Sequence, residues 1–279
     1  MRTVITSLYE KTAWHPWIPL ENSWRGKKVP AGPGLYRILL VDEEHTQMAY
    51  IGQSKNLKER LGALKHVYSD VSPLHDPHFA GPALWTWRQA LPRSHFEVSV
   101  APFPTIPKPL RLGLECLALA LCHQEQDVAP LANFGRTRDE WSALWSSSPE
   151  RQMQEVRLTG PLDGNPHARS WCGLDWTSWT LLDREHLPED GLGLYRLRVA
   201  GCDPLLYIGQ GEIAARLKAY RSNLPLECSW VLGSWTYHRR LELRSNAVGA
   251  HLLSLSTIPL WQFESGAPLG GPAGMSSAA

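Results

Sequence analysis

The sequence has no charge excess of either sign. Its 28 Lys and Arg stand against 27 Asp and Glu, for a formal net charge of +1. A nucleic-acid binder usually carries a basic excess, so bulk charge gives that class no support. Any charge meant for phosphates must be local, as at Arg136 and Arg138 or at Arg239 and Arg240. The chain also has no CxxC pair. Its five cysteines, Cys116, Cys122, Cys172, Cys202 and Cys228, lack metal-like spacing, which argues against a zinc framework. An odd cysteine count, with no leader-like apolar stretch in residues 1–11, points to reduced thiols in a cytoplasmic protein. No apolar run approaches the roughly 18 residues of a membrane span, so no membrane partner is expected. No phosphate-binding glycine loop and no Ser-His-Asp order stands out.

Hydrophobic residues are plentiful at 43%, and 279 residues suffice for two packed domains. The 13 tryptophans serve either as packing or as stacking platforms for bases. An internal repeat sets the organisation. Gly-Leu-Tyr-Arg occurs at 34–37 and again at 193–196, and Tyr-Ile-Gly-Gln at 50–53 and 207–210. Arg60-Leu61 follows the first pair and Arg216-Leu217 the second. Trp17 precedes Tyr36 by the same distance as Trp176 precedes Tyr195. The expected layout is one domain over 1–135, a linker over 136–165 with a short helix near Asp139 to Trp145, a second copy over 166–264, and a disordered Gly/Pro/Ser/Ala tail over 265–279.

Periodicity supplies the elements. Gly34 to Val41 and Met48 to Gly52 read as a hairpin around the acidic turn at 42–44. Leu57, Leu61 and Leu64 have helical spacing within 56–67. Residues 95–100 alternate as a strand, and 110–124 form an apolar helix with Pro130 beyond it. The second copy repeats the order: 193–199 and 205–209 as a hairpin, 212–220 as a helix, 229–236 as a strand, 240–255 as a helix. The fold class is α+β: two tandem modules, each a small, mainly antiparallel sheet flanked by helices.

Glu115 is the most telling residue. Leu112, Leu114, Leu117, Leu119 and Leu121 surround it on its helix, and a carboxylate there is costly without a partner or a metal. Arg60 lies beside the stripe of Leu57, Leu61 and Leu64, where a guanidinium can clamp a phosphate or remain a solvated charge. Tyr36 and Tyr50 lie on paired strands. A phenol there orients or deprotonates water if Arg60 or a metal lowers its proton affinity, or else simply packs.

Together these residues resemble the GIY-YIG nuclease family. Gly34-Leu35-Tyr36 matches its first signature with Leu for Ile, and Tyr50-Ile51-Gly52 matches its second. Arg60 falls at the family's helix arginine, Glu115 at its metal-binding glutamate and Asn133 at its terminal asparagine. The resemblance covers about residues 30–135 and, more weakly, 190–263. It implies a metal-dependent endonuclease that hydrolyses DNA phosphodiester bonds in restriction, repair or mobile-element work. Its catalytic residues would be Tyr36, Tyr50, Arg60, Glu115 and Asn133, with Tyr36 as the base and Glu115 holding Mg²⁺ or Mn²⁺. Asn133 would anchor either the substrate phosphate or the backbone of the site. Many members carry a His or Lys one turn beyond the arginine. Here that position is Leu64, with Lys65 and His66 next, so His66 is a candidate substrate-binding residue.

In the second copy Tyr195, Tyr207 and Arg216 persist as substrate-binding candidates. Matching 110–121 to 241–252 places Asn246 at the position of Glu115, with Glu242 a turn earlier as a substitute. The expected second copy is therefore degenerate. The run His75-Asp76-Pro77-His78 has metal-like residue types in a Pro-rich loop. Two other functions fit the chain: an inactive nucleic-acid-binding module, and an enzyme using the same site on a substrate other than nucleic acid. Near-neutral charge favours the latter.

Overall fold

The computed structural model describes residues 14–43, 46–70, 80–135, 160–182, 191–220 and 223–264. Those up to 135 form one compact unit and those from 160 onward a second. Arg136, Arg138, the 75–78 run, the expected helix near 139–145 and the tail over 265–279 lie outside the described residues.

The first unit is built on a four-stranded antiparallel sheet. Its strands are β1 (Ile18–Pro19), β2 (Gly34–Val41), β3 (Thr46–Ser54) and β4 (His95–Pro102), in the order β1-β4-β2-β3. Tyr36 pairs with Gly52 across β2 and β3. Alternation along β2 sends Tyr36, Ile38 and Leu40 to the main core with Leu57, Leu61, Leu64, Phe96 and Val98. Leu39 points the other way, toward a smaller cluster of Met48, Ile51, Ala118, Leu119 and Cys122.

Helix α1 (Leu57–Gly62) starts at Asn56, whose side chain accepts from the Glu59 amide at 3.2 Å. The expected helix to Val67 tightens at Ala63 into a 3-10 stretch, Ala63–Tyr68, just past the helix-weakening Gly62. Helix α2 (Gly81–Ala90) was not legible in the sequence. It opens on Gly-Pro, which reads as a turn, yet proline suits a first turn because no amide is needed there. Helix α3 (Lys108–Gln126) carries Pro109 in its first turn and ends at Asp127 in the left-handed conformation.

The second unit repeats the plan. β5 (Thr180–Leu181), β6 (Leu192–Val199), β7 (Tyr207–Glu212) and β8 (Leu226–Leu232) form a sheet in the order β5-β8-β6-β7, all antiparallel. Tyr195 pairs with Gly209 as Tyr36 does with Gly52. β8 lies earlier than the expected 229–236 because Gly233 ends it. β7 begins two residues later than expected. Helix α4 (Ile213–Lys218) is capped by Glu212, which accepts from the Ala215 amide at 2.6 Å. Helix α5 (Tyr237–Leu255) is capped by Thr236 and closed by Ser256 in the left-handed conformation.

The repeated tryptophans pack against arginine. The Arg37 guanidinium sits 4.6 Å from the Trp17 ring and 4.4 Å from Trp14. Arg196, wholly buried, sits 4.5 Å from Trp176 and 4.7 Å from Trp179. The Gly-Leu-Tyr-Arg tetrapeptide thus recurs as a unit, its arginine held by cation–π contacts. No helix among the described residues is long and apolar enough to cross a membrane.

Candidate active site

Tyr36 comes from β2, Tyr50 from β3, Arg60 from α1 and Glu115 from α3. The fold brings these four together. The tyrosine rings lie 5.8 Å apart, and both Arg60 and Glu115 act electrostatically on both phenols. Gly52 makes room for them: a Cβ there would stand 2.6 Å from the Tyr50 ring and 2.7 Å from the Tyr36 hydroxyl.

Glu115 keeps some surface, but protein crowds its carboxyl. Burial pushes its pKa up to about 7, against the pull of Arg60, Arg111 and a hydrogen bond from the Gln53 amide. Arg111, one turn earlier on α3, is buried and donates through Nε to Gln53 Oε1 at 2.8 Å. Its second contact is to the Ile106 carbonyl at 3.3 Å. The site is therefore a carboxylate between two guanidiniums, tied to β3 through Gln53. Arg111 and Gln53 were not singled out from the sequence, although Gln53 closes the repeated Tyr-Ile-Gly-Gln.

The expected lowering of phenol proton affinity by Arg60 meets a larger opposing effect. Arg60 does pull both phenols down, but burial raises both above the ordinary tyrosine value. The hydrogen bond between them raises Tyr36 further and lowers Tyr50. Both phenols are thus protonated at neutral pH.

Asn133 lies elsewhere. It is buried, and its side chain accepts from the Ile51 amide at 2.9 Å and donates to the Ile51 carbonyl at 2.8 Å. Leu131 and Ala132 donate to the Met48 and Ala49 carbonyls alongside. Of the two roles expected for Asn133, this geometry is that of a backbone anchor along the outer edge of β3. His66 is exposed on the 3-10 stretch after α1, and its ring makes no hydrogen bond or ion pair among the described residues.

The second unit holds Tyr195 and Tyr207 at 6.0 Å, with Tyr220 at the equivalent of Leu64. Tyr220 shares a hydrogen bond with Tyr195 at 3.2 Å. Arg216 lies against Gly211, where a Cβ would meet its Nε at 3.1 Å.

The helix correspondence differs from the one expected. Arg240 donates through Nε to Gln210 Oε1 at 3.2 Å and also bonds the Trp235 carbonyl, as Arg111 does with Gln53 and Ile106. Gln262 accepts from the Ile208 amide at 3.0 Å, as Asn133 does from Ile51. Both helices span 19 residues and end in a left-handed residue. Arg111 therefore matches Arg240, and Glu115, four residues on, matches Arg244 rather than Asn246. Two leucine-rich helices match at several registers, and the arginine and the caps select this one. Glu242, wholly buried, is held by Arg239 at 2.6 Å and lies about half a turn around the helix from Arg244. Arg239 and Arg240 both bond inward, so they are not the local phosphate-facing patch that the sequence suggested.

Among the described residues, no group of three or more His, Cys, Asp or Glu is placed to hold a metal ion. Comparison with known proteins returns no matching family model, no matching curated protein and no matching solved structure.

Proposed function

We propose that the first module is the active site of a metal-dependent endonuclease of the GIY-YIG type, hydrolysing phosphodiester bonds in DNA. The observation that carries this reading is the convergence of Tyr36, Tyr50, Arg60 and Glu115, from four separate elements, around one crowded carboxyl. A carboxyl with a raised pKa, set among cations and phenols, is a pattern that marks candidate chemical sites.

The donor set fits a hard divalent cation. One carboxylate suits Mg²⁺ or Mn²⁺, which keep most of their waters and take further oxygens from a phosphate. Glu115 would hold the ion, and burial of its carboxyl is compensated when a cation stands beside it. When bound, the ion supplies charge stabilisation at the phosphate and a more acidic water. The remaining work falls to the protein. Arg60 binds and orients the phosphate and neutralises charge that develops on its oxygens. Arg111 fixes Gln53 and so the position of Glu115. Tyr36, kept protonated by burial, shares a hydrogen bond with Tyr50 that orients both phenols. Tyr50 is likewise kept protonated at neutral pH by burial, and its hydroxyl orients the attacking water by hydrogen bonding.

Incubation of supercoiled plasmid with Mg²⁺ or with chelator tests the reading. Nicking or linearisation that requires the cation and is lost in Glu115→Gln supports it. Tight binding of DNA without cutting would favour an inactive binding module instead.

A further inference from the structure

In the second module the acidic position of the first is reversed in sign. Arg244 occupies the place of Glu115, four residues beyond the Gln-bound Arg240. Its Nε donates to the Ile208 carbonyl at 3.2 Å, which fixes the guanidinium beside β7. Arg216 reaches the same strand from α4, where Gly211 leaves room for it. Among the described residues the Arg216 guanidinium has no hydrogen-bond or ion-pair partner, and Arg244 has only that one carbonyl. Both act on the Tyr195 phenol, and no carboxylate acts on it. The nearest acid on this strand, Glu212, is committed to the Gly191 and Ala215 amides at 3.2 and 2.6 Å. Tyr195, Tyr207 and Tyr220 cluster within 6.3 Å of one another. Tyr195 is pushed up to about 12 by burial, so it remains a hydrogen-bond donor at neutral pH.

From this placement we infer that the second module is a phosphate-binding site that needs no metal, formed by Arg216 and Arg244 with the Tyr195–Tyr207–Tyr220 cluster. Two under-used guanidiniums act on the Tyr195 phenol from two elements, with neutral hydroxyls beside them and no carboxylate acting there. Such a set recognises a tetrahedral oxyanion and repels a divalent cation. In the first module, without metal, Glu115 opposes Arg60 and weakens any hold on an anion. The two modules therefore divide by the charge of one helix position. Anion binding stands on the second module's own residues; only the identification of the phosphate as that of a DNA substrate rests on the nuclease reading.

The test uses the full chain in chelator, where no cleavage can occur. Fluorescence anisotropy of a short labelled DNA duplex is measured, with inorganic phosphate and a mononucleotide as competitors. The expected result is salt-sensitive binding that chelator leaves in place. Arg216→Ala and Arg244→Gln should each weaken it about tenfold or more, the scale of a lost charge-assisted contact. Arg93→Ala, removing an exposed charge elsewhere, should change it less than about twofold. Arg244→Lys guards against a folding artefact: it gives up the bond to Ile208 as Arg244→Gln does, yet should retain most of the affinity. Competition by inorganic phosphate or mononucleotide at equal strength would support the site and mark its ligand as a free phosphate; preference for duplex would mark it as the nucleic-acid backbone. Binding that vanishes in chelator, or an equal loss in Arg244→Lys and Arg244→Gln, would overturn the inference, whether or not the protein cuts plasmid.

Discussion

Individual side chains here are set by a contest between burial and nearby charge. For Glu115 burial prevails, and the stability consequence has a definite sign. Below the ordinary glutamate range the carboxyl is protonated whether the chain is folded or not, and contributes nothing. As pH rises toward about 7, the unfolded chain releases the proton while the folded site retains it, so folding loses stability and the loss levels off above that pH. Glutamine has no such proton. Glu115→Gln should match wild type in stability at about pH 4 and exceed it above pH 7, by at most about 3 kcal/mol. Melting curves across that range check this, and equal melting temperatures at high pH would mean the carboxyl is well solvated or already paired. Burial governs both tyrosines in the same way. Tyr50→Phe and Tyr36→Phe should each lower kcat about 10-fold, the scale of a lost orienting hydrogen bond and less than that of general-base removal. Arg60→Ala should reduce kcat far more than it raises KM, because its charge meets charge that develops in the reaction. Steady-state kinetics on a defined duplex separates these, and a loss of about 100-fold or more in Tyr36→Phe alone would return the base role to the first tyrosine.

Single elements explain what the sequence disclosed and what it hid. The hairpins, α1 and α3 were legible because their apolar periods are strong and their tetrapeptides recur. The register of α5 was not, because leucine-rich helices match in several alignments; only the bonds from Arg111 to Gln53 and from Arg240 to Gln210 select one. Helix α2 was hidden behind a proline that reads as a turn. Asn133 was found as a residue, but only its hydrogen bonds reveal that it is the clasp on the outer edge of β3. Asn133→Ala leaves two buried backbone groups of Ile51 unpaired and should cost about 2–4 kcal/mol of stability. Its kcat at a permissive temperature should fall far less than that of Arg60→Ala. An unchanged melting temperature with a collapse in kcat would place Asn133 in the chemistry instead.

Across the whole chain, two modules of the same topology carry opposite charges at one helix position beside the tyrosines. Glu115 stands in the first and Arg244 in the second, so the proposed hydrolysis falls to the first alone. Glu242 was the one carboxylate on α5 open to a rival role, but it is held by Arg239 and lies about half a turn from Arg244. Glu242→Ala should therefore leave the metal requirement of cutting as it is. The measurement that bears most directly on the account is the conversion of supercoiled plasmid by wild type, Glu115→Gln and the double variant Glu115→Gln/Glu242→Ala, each with Mg²⁺ and with chelator. The account predicts Mg²⁺-dependent cutting by wild type and none by either variant. Cutting by Glu115→Gln at near wild-type rate, or cutting by wild type that survives the chelator, would contradict it.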